Sequence, residues 1–108
     1  MIKIISHNAE TILEQFHQHL AANRKLTDVV IGSYIAAVRD FASWYESYSG
    51  ECFRLGSIST FVLIPYKATL EERGFKSLHI KRQIAILKSL FEWITSVTPP
   101  PDNVSQGL

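Results

Sequence analysis

The sequence predicts a small all-α protein, a single four-helix bundle, and three observations carry that expectation. Four stretches repeat their apolar residues every three or four positions, the joints between them are short and polar or glycine-containing, and no credible sheet remains. A chain of 108 residues is long enough for one compact domain with one modest core, and too short for a comfortable second one.

The first helix is expected from about Ala9 to Asn23. Ser6 or Asn8 can cap its N-terminus, and Ile12, Phe16 and Leu20, four apart, give it one apolar face. The preceding "IKII" is too short to assign. The second helix begins after Thr27, whose hydroxyl can accept a backbone N–H, and Asp28 suits the positive end of the helix dipole. Ile31, Tyr34, Val38, Phe41 and Tyr45 form its stripe, and Gly50 supplies a stop.

The third stretch, "SISTFVLIPYKATLEERG", is ambiguous. "FVLI" alone suits a buried strand, but the residues after it are strongly helical and close on Gly74. Two readings stay open. Either Ser59 caps a helix kinked or split at Pro65, which deprives the Phe61 carbonyl of its partner, or the helix begins at Pro65 itself. The fourth helix is capped by Ser77 and runs to about Val97, with Ile80, Ile84, Leu87, Phe91 and Ile94 as its stripe. Trp44 and Trp93, late in the second and fourth helices, are placed to help close one end of the core. The tail "TPPPDNVSQGL" reads as a linker stiffened by prolines.

With 46% hydrophobic and 19% charged residues the composition is that of an ordinary globular protein, and no apolar run approaches the roughly 20 residues a bilayer span needs. The N-terminus lacks the layout of a secretory signal, so no membrane is expected and the cytoplasm is the expected compartment. Cys52 is the single cysteine, which excludes an internal disulfide or a multi-cysteine zinc site; it reads as a small, partly buried side chain. His17 and His19, two apart on a helix, diverge and cannot share a metal, Glu71 and Glu72 look like solvated surface, and no phosphate loop or nucleotide fingerprint is present. Neither cofactor nor metal is expected.

A net charge of +1 is weak support for a nucleic-acid partner, so the position of the cations has to carry that argument. Lys76, Ser77 and His79 stand at the start of the fourth helix, where unpaired N–H groups and the dipole favour a phosphate. Lys81 and Lys88 lie seven apart on nearly one face, with the small Ala85 between them and Arg82 beside them. The second helix offers a parallel set: Arg24 and Lys25 before it, Thr27 and Ser33 near its start, and Arg39 further along. Such residue types suit phosphate contacts, although exposed lysines and arginines usually only keep a helix wet.

The ordered pattern "LTDVVIGSYIAAVRDFASWYE", then "LGSISTFVLIPYKATLEERGFKSLHIKRQIAILKSLFEWI", then "TPPPDNV" resembles the N-terminal SAM-like, or core-binding, domain of tyrosine recombinases and phage integrases. That family's second helix carries a tyrosine, a leucine-like residue and a phenylalanine, here Tyr34, Val38 and Phe41; its third carries a tyrosine eight positions after an isoleucine, here Tyr66 after Ile58. Ser77, Lys81, Arg82, Leu87, Lys88, Leu90 and Phe91 fill the corresponding places of its fourth helix. Val30, His79 and Pro65 depart from the family's pattern.

The resemblance covers about Ala9 to Asn103 and implies a binding domain over residues 1–98, with residues 99–108 leading toward a separate catalytic domain. It implies a SAM-like bundle that clamps double-stranded DNA through its second and fourth helices for integration and recombination, with other recombinase protomers as partners once the catalytic domain is joined. The implied contacts are Lys25, Thr27, Ser33, Arg39, Lys76, Ser77, His79, Lys81, Arg82 and Lys88. By itself such a domain is not an enzyme. His79 to Arg82 spell the family's catalytic H-x-x-R, but the last tyrosine, Tyr66, lies upstream, so no nucleophile follows and the match is rejected. A helical protein-interaction module and a small helix-turn-helix regulator are the alternatives from other classes.

Overall fold

The computed structural model describes residues 5–23, 25–54 and 59–97, which form four α-helices with no strand among them. Arg24, Ile58 and the expected linker 99–108 lie outside the described residues. Helix α1 spans His7–Ala21. The Ser6 hydroxyl accepts the Ala9 N–H at 3.2 Å, so Ser6 rather than Asn8 is the cap, and the helix starts two residues earlier than the apolar spacing suggests. Helix α2 spans Asp28–Ser49, with Thr27 Oγ1 accepting the Val30 N–H at 3.2 Å. Gly50 ends it at φ 76°, a left-handed conformation that a side chain would strain, and donates its N–H to the Glu46 carbonyl.

Neither reading of the third stretch holds as it stood. Ser59 caps a 3-10 turn over Thr60–Val62, its hydroxyl accepting the Phe61 N–H at 3.1 Å, and this turn feeds α3, Leu63–Glu72. Pro65 therefore falls in the first turn of α3, where an N–H has no intrahelical partner to lose. A strand over "FVLI" is excluded, and half of that run faces outward: Phe61 is 77% and Ile64 70% exposed. After α3 the Phe75 N–H reaches the Leu70 carbonyl at 3.3 Å and the Gly74 N–H reaches Glu71 at 3.0 Å. These two bonds satisfy carbonyls of the last turn while Gly74 sits at φ 84°. Helix α4 spans Ser77–Val97; Ser77 is its first residue, and the Lys76 carbonyl accepts the Ile80 N–H, so the boundary lies one residue ahead of the expected cap.

Bonds between α1 and α2 pair early residues of one with late residues of the other, Glu10 with Arg39 and Ser6 with Glu46, so the two helices run antiparallel. Helix α4 packs on both α2 and α3. All four contribute to one core, in which Phe16, Val38, Phe41, Tyr66, Leu87 and Leu90 are almost wholly enclosed. Burial of this apolar surface, at about 25 cal/mol per Å², is what holds so small a bundle together. Phe41 is its aromatic centre, with ring centroids 5.1 Å from Tyr66, 5.9 Å from Phe53 and 6.1 Å from Phe91.

The tryptophans do not share one end of this core. Trp44 stacks on Tyr48 and lies tilted against Tyr66, whereas Trp93 lies against Phe16 and His19, because antiparallel packing puts the late turns of α2 and α4 at opposite ends. Cys52, expected to be partly buried, is exposed, while its neighbour Phe53 takes the enclosed place. Glu46 fixes that region: its carboxylate accepts the Ser6 N–H at 2.9 Å, the Ser6 hydroxyl and the Phe53 N–H at 2.8 Å.

Candidate nucleic-acid interface

Helix α4 turns its apolar stripe inward and leaves Lys81, Arg82, Ala85 and Lys88 exposed. At about 100° per residue, Lys81 and Lys88 lie nearly in line on the flank toward α3, with Arg82 about a quarter-turn away. None of the three cations has an ion-pair partner among the described residues. Their charges are therefore available to an external anion without breaking a contact within the protein.

The α3 side adds a cation that the sequence did not single out. Lys67 lines a cleft together with Lys81 and Lys88, over a floor made by Ile80, Ile84 and Ala85. No periodicity within one helix can reveal a partner on the next, and only the packing of α3 on α4 gathers these three lysines.

Other predicted contacts fall elsewhere. His79 lies on the α2 flank of α4, its ring centroid 4.6 Å from that of Phe75 and its Nε2 3.3 Å from the Gln83 amide nitrogen. With Ser33, Asp40 and Arg73 it borders a separate cleft, and the Ser33 hydroxyl donates to the Val29 carbonyl at 3.2 Å. Lys76 and Ser77 are exposed at the start of α4. Lys25 and Thr27 stand at the far end: Leu26 and Tyr34 share a cleft with Trp93 and Ser96, so the start of α2 meets the end of α4. A helix of 21 residues spans roughly 30 Å, which sets the distance between the two groups.

Arg39 differs from the rest. Its guanidinium grips the Glu10 carboxylate with two bonds of 2.8 and 3.0 Å. The hydrogen bond from Arg39 holds the Glu10 carboxyl below the usual carboxylate range, and Glu10 in turn raises the guanidinium. Glu10 is the signal that sequence reading lacked, since it lies 29 residues away.

The ten predicted residues thus divide into an exposed strip on α4, a helix start at each end of the bundle, the α2–α4 cleft and a paired arginine. Among the described residues no three metal-ligating side chains converge, and no helix is long and apolar enough to cross a membrane. No family model, curated protein or solved structure matches the chain.

Proposed function

We propose that this chain is the DNA-binding half of a site-specific tyrosine recombinase or integrase, a SAM-like core-binding domain that is catalytically inert by itself. It would work in the cytoplasm and meet other recombinase protomers once joined to a catalytic domain. The observation that supports this reading most is the strip of unpaired, exposed cations Lys81, Arg82 and Lys88 around the small Ala85 on one long helix. A small residue between cations lets a sugar–phosphate backbone approach closely, and cations without an internal ion-pair partner break no such contact on binding. The starts of α2 and α4, with Lys25, Thr27, Lys76 and Ser77, offer further backbone and hydroxyl donors. Arg39 is the weakest member of the set, because a phosphate has to displace Glu10 from it.

Titration of duplex DNA at several salt concentrations tests the reading. Affinity is expected to fall with a log–log slope of about −0.9 per phosphate neutralised. Lys81→Ala should weaken binding and flatten the slope, and the triple alanine variant at Lys81, Arg82 and Lys88 should remove most of it. Unchanged affinity in the singles and in the triple variant would falsify the assignment of this surface.

A further inference from the structure

The cleft between α3 and α4 has a character that phosphate binding leaves unexplained. It encloses about 330 Å³ between Thr60, Leu63, Ile64, Lys67, Ile84 and Lys88, and its walls are almost entirely apolar. Ile64 is 70% exposed at its edge, and Phe61, one α-helical turn away by sequence, is 77% exposed. Among the described residues no carboxylate lines this cleft or the adjoining one over Ile80 and Ala85. Lys67 and Lys88 line both clefts, Lys81 lines the adjoining one, and none of the three has an ion-pair partner among the described residues. A sugar–phosphate backbone would satisfy the lysines and gain nothing from Leu63, Ile64 or Ile84.

We propose that this cleft docks a short acidic amphipathic helix from a partner protein. Leucine-like residues at i, i+3, i+4 and i+7 would cover the apolar floor, and carboxylates flanking that stripe would meet the three lysines. Helix α3 has 10 residues, roughly 15 Å of rise, which suits an occupant of about three turns. A second copy of this chain is a poorer fit: the apolar stripes of α1, α2 and α4 are already spent in the core. The proposal goes beyond the DNA reading, because Phe61 and Ile64 are not among the phosphate contacts.

The test uses a fluorescently labelled peptide of about four turns, with leucines at i, i+3, i+4 and i+7 and glutamates beside them, and a scrambled peptide of the same composition. Anisotropy titration of the full chain should give saturable binding for the striped peptide and at least about tenfold weaker binding for the scrambled one. Ile64→Ser should weaken the striped peptide by about tenfold or more while leaving duplex affinity unchanged, and Lys67→Glu should weaken it comparably. Circular dichroism of both variants should match that of the parent, since both side chains are exposed. Equal affinity for the two peptides, or an Ile64→Ser variant that binds as the parent does, overturns the proposal. So does Ile64→Ser weakening DNA as much as peptide, or sedimentation showing a dimer that Ile64→Ser disperses.

Discussion

The hydroxyl of Tyr66 donates a 2.7 Å hydrogen bond to Oδ2 of Asp40, joining a phenol on α3 to a carboxylate on α2 at the edge of the core. Arg73 Nη1 stands 3.5 Å from the same oxygen, so the last turn of α3 is drawn to the same point. Burial, and then the bond to Asp40, push the phenol well above its usual pKa. Tyr66→Phe keeps the ring and removes only the hydroxyl, so urea denaturation should show a loss of about 1–2 kcal/mol. A variant as stable as the parent would mean that the bond contributes nothing net.

Phe41 is wholly enclosed and meets rings from α3, α4 and the segment after α2. Phe41→Ala should cost about 3–5 kcal/mol, a large part of the roughly 5–15 kcal/mol that such a domain possesses. The expected signature is a loss of near-ultraviolet dichroism and a broad thermal transition. A sharp transition within a few degrees of the parent's would show that the cavity collapses without penalty.

Glu46 should make the bundle acid-sensitive. Burial raises its carboxyl pKa, but the bonds from Ser6 and Phe53 outweigh that and hold it below the ordinary value of 4.5. The folded form is thus the more acidic, so its contribution is complete above the unfolded pKa and is lost as pH falls through the folded one. Thermal melts between about pH 6 and pH 3 should show the parent losing stability more steeply than Glu46→Gln. Parallel curves for the two proteins would remove Glu46 as the source.

Arg39 should be the least important cation for duplex binding. Paired to Glu10 by two hydrogen bonds, its side chain is 24% exposed, whereas Arg82 stands free of ion pairs among the described residues. Arg39→Ala is expected to change DNA affinity less than about twofold, against several-fold for Arg82→Ala, and Glu10→Gln should strengthen binding slightly. The reverse order of Arg39 and Arg82 would place the DNA face on the α1–α2 side.

Helix identity was legible along the chain because it depends on neighbours within four residues. The caps Ser6 and Thr27, the stops Gly50 and Gly74 and the stripes of α1, α2 and α4 all act over that range. Pro65 was harder: whether it kinks a helix or opens one turns on how the preceding turn is bonded, and here a 3-10 turn moves the start of α3 to Leu63. The exposure of Phe61 and Ile64 was equally hidden, since an apolar run gives no direction until its helix is docked.

The sequence by itself determined an all-α chain with four helices and marked which cations lie off the stripe of α4, since periodicity and capping are local properties. Only the tertiary structure decided which of those cations stand together. Packing of α3 on α4 brings Lys67 to Lys81 and Lys88, antiparallel pairing of α1 and α2 commits Arg39 to Glu10, and the packing of α2 against α4 sends Lys25 and Thr27 to the end opposite Lys76 and Ser77. The physical reason is the same in each case: charge acts through distance in space, and the separations of 14 to 52 residues between these groups become short or long only when the core closes.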